Sequence, residues 1–241
     1  MKAYRIALAG NPNTGKSTLF NTLTGLKQHT GNWPGKTVVR AEGSFQHQGQ
    51  EYRLIDLPGT YSLFSNSTDE EVARDYIVFE KPDVTLVVVD GTSMERNLNL
   101  ALQVLEMTDH VIICINLIDE AEKKGIMIDA EKLASKLGVP VVKISARNKQ
   151  GIAALLDTIA SFLRGDIETK AYRLTYQPEI EEQINKLEPI VRKLLGDGYP
   201  LRWMALRLLD GDHALLKKFQ EQIKTKGREV KQNEFGNAIN S

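Results

Sequence analysis

The sequence has only one cysteine, Cys114, in 241 residues, so no internal disulfide can form. Cys114 lies inside the apolar run VIICI, where a buried core thiol is the simplest reading. Net charge is lacking as well, because 31 Lys and Arg balance 31 Asp and Glu. Divided near Gly165, both parts stay within about one charge of neutral. Neither part advertises a nucleic-acid or anionic-membrane surface, and no nucleic-acid partner is expected. Long hydrophobic runs are missing. The stretch TLVVVD from Thr85 falls far short of the roughly 18 residues a spanning helix needs. MKAYRIALAG carries no apolar segment followed by a small-residue cleavage site, so a cytosolic, reducing setting is expected. What is present is ordinary: 41% hydrophobic and 26% charged residues exclude a wholly disordered chain.

Short β-branched runs alternate with helical patterns, from YRIALAG through KSTLFNTLTG, EYRLIDL, VTLVVVD, a periodic stretch to Met107, VIICINL and VPVVKIS. This order predicts an α/β fold with a mostly parallel sheet and helices on both faces. TLVVV and VIICI are apolar without alternation, as strands covered on both sides are. TVVRAEGSFQ and QEYRLIDL flank HQG and read as a hairpin that adds one antiparallel strand. The aperiodic segment RGDIETKAYRLTYQP marks a boundary. It separates a first domain, 1–165, from a second, 166–241. In the second, Ile180, Ile184, Leu187, Val191 and Leu194 recur at helical spacing, then Leu201, Met204 and Leu208, then Leu215, Leu216, Phe219 and Ile223. Three helices are expected there, followed by a polar tail from Lys231 to Ser241 that frays.

The strand YRIALAG runs into Gly10, Asn11, Pro12, Asn13, Thr14, Gly15, Lys16, Ser17 and Thr18, which fit G-x-x-x-x-G-K-[ST] in strand, loop, helix context. Backbone N–H groups of such a loop turn inward as a nest for phosphates at the positive end of a helix. Lys16 brings a cation to the β- and γ-phosphates, and the Ser17 hydroxyl suits Mg2+, a hard cation. Asp56, Leu57, Pro58 and Gly59 give D-x-x-G, whose carboxylate can reach a Mg2+-bound water and whose Gly59 N–H can reach the γ-phosphate. Asn116, Leu117, Ile118 and Asp119 give N-x-x-D, whose carboxylate can accept two hydrogen bonds from guanine. Ser145, Ala146 and Arg147 end the last strand and would place the Ala146 N–H at the guanine O6. Each motif alone is weak. In this order they predict a P-loop GTPase domain, Ras-like in architecture, that binds GTP and GDP.

Thr37 follows Gly35 and Lys36 in the loop HTGNWPGKT, which is expected to be mobile and to contact nucleotide. Its hydroxyl would complete the Mg2+ shell only with the γ-phosphate present, which makes it the switch threonine. Trp33 in that loop fits either a lid or a buried anchor. Two departures matter. Thr60 and Tyr61 follow Gly59, so the glutamine that commonly orients the attacking water is missing. Leu117 stands where lysine is usual in N-x-x-D, which shortens the cover over the base and predicts quick nucleotide exchange.

With GNPNTGKSTLFNTLTG, GNWPGKTV, DLPGTYSL and NLID in one chain, the sequence resembles the cytosolic part of the bacterial ferrous iron transporter B family, FeoB. The likeness continues into RWMALRLLDGD, similar to that family's helical domain, and so covers nearly the whole chain. It implies a GTPase on the cytosolic face of the bacterial inner membrane that regulates or powers ferrous iron transport. The implied partners are a membrane transport domain of the same or a neighbouring chain and small Feo accessory proteins. It also implies activation by K+, with Asn13, the second asparagine of GNPN, helping to hold the potassium ion. The catalytic set is then Asn13, Lys16, Thr37 and Gly59, with Mg2+ and K+ as cofactors. FeoB proteins usually have methionine at the position of Leu117. Two alternatives stay open on the residues themselves: a ribosome-assembly GTPase, and a guanine-nucleotide sensor that scarcely hydrolyses.

Overall fold

A computed structural model describes residues 3–25, 28–64, 67–212, 215 and 217–221. The chain divides into two compact units, 1–173 and 174–241.

In the first unit, β1 (Tyr4–Gly10) leads to α1 (Lys16–Thr24), β2 (Gln28–Asn32), β3 (Val39–His47), β4 (Gln50–Asp56) and α2 (Thr68–Asp75). A π-helical turn over Tyr76–Glu80 precedes β5 (Val84–Asp90), α3 (Met94–Met107) and β6 (Val111–Asn116). The unit closes with α4 (Ile118–Lys123), α5 (Ala130–Leu137), β7 (Val141–Lys143) and α6 (Ile152–Arg164). The seven strands form one sheet in the order β2-β3-β4-β1-β5-β6-β7. β3 is antiparallel to both neighbours, while β4, β1, β5, β6 and β7 are parallel.

The expected hairpin is β3 and β4, with His47 opposite Gln50. Gln48 and Gly49 take φ of 50° and 76°, the left-handed pair that matches strand twist in a two-residue turn. β2 was not expected. Its residues fall in the segment read as a mobile loop, yet Gln28–Asn32 pairs along β3 from Gln28 opposite Gly43 to Asn32 opposite Val39. QHTGN has no apolar alternation, so what makes it a strand is the open hydrogen-bonding edge of β3. The helix α2 was also unread, although Ser67 and Glu70 spell a cap. Ser67 Oγ accepts from the Glu70 N–H at 3.2 Å.

Burial explains the strands without alternation. Leu86 and Val88 of β5 join Ile6, Leu8, Ile112 and Cys114 in a core shared with Leu19 and Phe20 of α1 and Leu155 and Ile159 of α6. Val87 and Val89, out of step by one residue, are equally buried and face the other side of the sheet. There α3 packs on β5 with Leu100, Ala101, Val104 and Leu105 buried. Cys114 is fully buried, and burial pushes its thiol pKa far above the ordinary range, so it is inert core.

The boundary falls between Arg173 and Leu174, later than the expected division after Gly165. Residues 166–173 strap onto the first unit. Lys170 N–H donates to Gly138 O (3.0 Å), Tyr172 N–H to Leu137 O (2.8 Å) and Arg173 pairs with Asp109 (2.9 Å). Gly138 has φ 68°, and a Cβ there would lie 1.8 Å from Lys170 O, so only glycine lets the strap pass. These bonds are tertiary and leave no local pattern.

The second unit holds α7 (Pro178–Leu195) and α8 (Leu201–Leu209), with residues 215 and 217–221 also helical. Ile184, Leu187, Val191, Leu194, Leu201, Met204, Leu208, Leu215 and Phe219 are buried as their spacing predicted, whereas Ile180 in the first turn of α7 stands exposed. Leu216, Ile223 and the tail from Lys231 lie outside the described residues. Arg202 clamps Glu181 with two 2.7 Å bonds, and Glu181 also accepts from the Tyr176 N–H at 2.8 Å. The Arg202 bonds, then the Tyr176 bond, hold the Glu181 carboxyl at about 2, below its ordinary 4.5. Because the folded value is the lower one, the contribution is present above 4.5 and is lost as pH falls toward about 2. Glu181→Gln is therefore expected to lower the unfolding midpoint of this unit at neutral pH, with a deficit that closes over that acid window. Trp203 fluorescence in a Trp33→Phe background would follow it, and a deficit unchanged in acid would contradict the assignment.

Candidate functional site

The C-terminal ends of β1, β4 and β6 carry Gly10, Asp56 and Asn116. From β1 the chain crosses to β4 on one side and returns to β5 on the other, so the strand order reverses beside β1. Parallel sheets bind ligands at such a point, outside the carboxyl ends of the strands. Three of the predicted motifs meet there.

Between β1 and α1 the chain makes the tight loop Asn11–Gly15. Asn13 takes φ 67°, which asparagine tolerates, and is exposed. The Thr14 hydroxyl donates to Asn11 O at 2.9 Å inside the turn. Asn11 is buried, and neither polar atom of its side chain has a hydrogen-bond partner among the described residues. Gly15 caps α1 with φ 79°, and a Cβ on it would sit 2.3 Å from Asn116 Nδ2. The second glycine of the motif is thus required by a neighbouring loop as much as by its own backbone. Ser17 and Thr18 lie exposed on the first turn of α1.

Lys16 is buried and points at the segment after β4. Its ammonium pairs with Asp56 Oδ1 and donates to Leu57 O at 2.6 Å. Burial pushes the Asp56 pKa up, and the Lys16 charge opposes that rise without cancelling it. Leu57 N–H bonds Leu8 O (3.0 Å) and Thr60 N–H bonds Gly10 O (3.4 Å), which seats Asp56–Thr60 against β1. A Cβ on Gly59 would lie 3.5 Å from Pro12, so the two loops touch.

Asn116 joins the phosphate loop to the last motif. Its Nδ2 donates to Thr14 O (2.9 Å) and its Oδ1 accepts from the Ala146 N–H (3.0 Å), both buried. The Ala146 N–H was expected to face a guanine O6. Here it is spent on Asn116, because the carbonyl of a buried amide needs a donor. Leu117 adopts φ 60°, an unusual state for a bulky residue, and Ile118 N–H bonds Ile144 O (3.2 Å). Together they turn Asp119 out at the start of α4. Asp119 Oδ2 accepts from Asn148 Nδ2 at 2.9 Å. The Ser145 hydroxyl, directed at the carboxylate, is the main cause of a carboxyl pKa below the ordinary aspartate value. Oδ1 is left buried with no protein donor. Arg147 is exposed beyond Ala146.

The loop of Thr37 is built differently from the expectation. Trp33 N–H bonds Val38 O (2.9 Å) and Lys36 N–H bonds Trp33 O (3.0 Å), closing a turn with Gly35 at φ 69°. Trp33 is the buried anchor of the two readings given for it. Its ring meets Tyr76 edge-on at 5.3 Å, and the Arg40 guanidinium lies over it at 5.0 Å. Lys36 pairs with Glu71 of α2 at 2.8 Å rather than turning to the phosphate loop. Thr37 is exposed, and no hydrogen bond joins it to Ser17 or Asp56. The sequence reading missed Asn148 and the Trp33–Tyr76 contact. Neither lies in a recognisable motif, though a polar residue just after Ser145-Ala146-Arg147 was a signal.

The donor set suits a hard cation. Ser17 and Asp56 offer oxygen, and among the described residues no group of three or more His, Cys, Asp or Glu could hold a metal by itself. Any Mg2+ here would share phosphate oxygens.

Comparison with known proteins agrees with this geometry. Residues 4–159 match the family model described as ferrous iron transport protein B, and residues 176–235 match that of the FeoB cytosolic helical domain. The Fe(2+) transporter FeoB of Methanocaldococcus jannaschii is 45% identical over 224 residues, covering 92% of this chain and 32% of that protein. An Fe(2+) transport protein A/Fe(2+) transporter FeoB fusion protein of Porphyromonas gingivalis is 41% identical over 91% of this chain and 26% of its own length. This chain thus spans about a third or less of the curated relatives it matches. The crystal structure of the cytosolic domain of the T. maritima FeoB iron transporter in GMPPNP form superposes with a TM-score of 0.82 at 38% identity. That match covers 98% of this chain and 92% of the other. Among the described residues no helix is long and apolar enough to cross a membrane.

Proposed function

The chain belongs to the FeoB family of ferrous iron transport proteins, and from that membership we propose that it binds and hydrolyses GTP to regulate or power Fe2+ uptake across the cytoplasmic membrane. Its partners in this reading are a membrane transport domain, of the same or a neighbouring chain, and small Feo accessory proteins, a reading supported by the Porphyromonas protein in which Fe(2+) transport protein A is fused to FeoB. The observation that carries the nucleotide assignment is Asn116, which ties the phosphate loop at Thr14 to the base-reading turn at Ala146. A bridge of that kind fixes the distance between a phosphate nest and a base carboxylate. The match of the second unit to the FeoB helical domain favours this reading over ribosome assembly.

Each residue then has a task. Backbone N–H groups of Asn11–Gly15 and the start of α1 take the phosphates. Lys16 must leave Asp56 and Leu57 O to reach them, so phosphate binding unpins the Asp56–Thr60 segment. Asp56, freed, would be placed to hold a water of a bound Mg2+, and the Gly59 N–H would be available to the γ-phosphate. The Ser17 and Thr37 hydroxyls would hold Mg2+, Thr37 only after the 33–38 turn had brought it inward. Mg2+, when bound, neutralises charge on the β- and γ-oxygens. In place of the missing glutamine, Asn13 would hold K+, which would supply positive charge beside the scissile bond. Asn13 fits, being exposed on the phosphate loop with an amide oxygen to offer.

Asp119 supplies base selectivity. Asp119→Asn is expected to weaken guanine nucleotides by roughly 10- to 100-fold, the worth of charge-assisted hydrogen bonds, and to improve xanthine nucleotides. Competition titration of GDP against XDP checks it. An unchanged guanine-to-xanthine ratio would remove Asp119 from the base site.

A further inference from the structure

Asp119 can accept from guanine in two places, the ring N1–H and the exocyclic amine, and each needs its own carboxylate oxygen in one plane. An aspartate torsion of this type is broad, and a carboxylate free to swing satisfies one donor easily and two only at one orientation. Something must set that orientation. Two side chains bear on the carboxylate, the Ser145 hydroxyl and Asn148, and Asn148 Nδ2 donates to Oδ2 at 2.9 Å.

Asn148 is itself held. Ser145 and Gln150 exchange backbone bonds at 3.0 and 3.1 Å, closing the loop that carries it, and the Asn148 N–H leans on Ser145 Oγ at 3.4 Å. Lys149, next in the chain, takes φ 56°, which turns the loop back toward Gln150. The amide therefore projects from a closed loop. It occupies one lone pair of Oδ2 and so fixes the plane of the carboxylate from the side of its own loop.

We propose that Asn148 is a positioning residue for base selection, pinning the Asp119 carboxylate so that both of its oxygens meet the two donors of guanine at once. This rests on the guanine-nucleotide reading above. The consequence is specific to a two-donor base. Hypoxanthine has the ring N–H and lacks the exocyclic amine, so a swinging carboxylate serves it as well as a pinned one. Loss of Asn148 should therefore cost guanine nucleotides more than inosine nucleotides, whereas a purely structural role would weaken both alike.

The test is a fluorescence titration of N-methylanthraniloyl GDP, IDP and ADP against the full chain and Asn148→Ala. The wild-type chain should prefer GDP over both others. In Asn148→Ala the GDP-to-IDP preference should fall roughly three- to tenfold, the scale of one hydrogen bond. A wild-type chain without preference for GDP over ADP would defeat the guanine reading itself. If the wild type prefers GDP and the variant keeps or raises the GDP-to-IDP ratio, the guanine reading stands and the role of Asn148 is overturned.

Discussion

GTP hydrolysis by this chain is expected to run faster in K+ than in Na+ at equal ionic strength, and Asn13→Ala is expected to remove the difference. Phosphoryl transfer spreads negative charge over the β–γ bridge and the γ-oxygens, and enzymes of this class answer it with a fixed cation. The chain has no glutamine after Gly59 to orient water; Thr60 is buried and Tyr61 is stacked beneath the Arg96 guanidinium at 4.4 Å. Asn13, by contrast, is exposed at the phosphate loop with its backbone already in the left-handed region. A cation at that point can supply up to the ~10³ to 10⁵-fold of an arginine finger. Na+ is smaller and would sit poorly among oxygens spaced for K+, so the loop of Thr37 would close over the γ-phosphate less often. Single-turnover rates in matched KCl and NaCl, with GTP affinity measured separately, decide it. Equal rates in the two salts would end the cation mechanism. A K+ advantage that survives in Asn13→Ala would end only the assignment of Asn13.

Lys16→Ala is expected to abolish tight nucleotide binding. Removing one partner of a buried charge pair costs about 2–5 kcal/mol, or roughly 30- to several-thousand-fold in affinity. The β- and γ-phosphates would keep their backbone donors and lose the one side-chain cation of the loop. The structure adds a second effect that the motif does not suggest. Lys16 also offsets the burial of Asp56, whose pKa already stands above its ordinary value. Without Lys16 that value rises further. A carboxyl with a raised folded pKa costs nothing below its unfolded value and is penalised increasingly as pH climbs past it. Lys16→Ala should therefore lower the thermal midpoint at neutral pH, with the loss fading in acid, while Lys16→Ala combined with Asp56→Asn keeps its stability and still fails to bind. Titration with a fluorescent GTP analogue checks the first effect. Unchanged affinity in a folded Lys16→Ala protein would overturn the phosphate site.

The parallel sheet, the hairpin and the helical second unit were legible because each rests on local pattern. Continuous apolar runs mark strands covered on both faces, HQG marks a two-residue turn, and Ile184 to Leu194 recur at the period of a helix. Gly10, Lys16, Asp56, Asn116 and Asp119 were legible for another reason: phosphate and guanine chemistry dictates residue types at strand ends, and strand ends can be read from the strands. What escaped was whatever depends on a distant partner. β2 exists because β3 has an open edge, the strap over 166–173 because Gly138 lets Lys170 pass, and the turn of Thr37 because Trp33 found Tyr76 and Lys36 found Glu71. Likewise the Ala146 N–H belongs to Asn116, Lys16 to Asp56, and one oxygen of Asp119 to Asn148. By itself, then, the sequence determined the elements that rest on local periodicity and the chemistry of the motifs, since both are written in neighbouring residues. Only the tertiary structure decided which polar group each of those residues engages, because a buried donor or acceptor must be paired and its partner is chosen by proximity in space, across separations that no local pattern records.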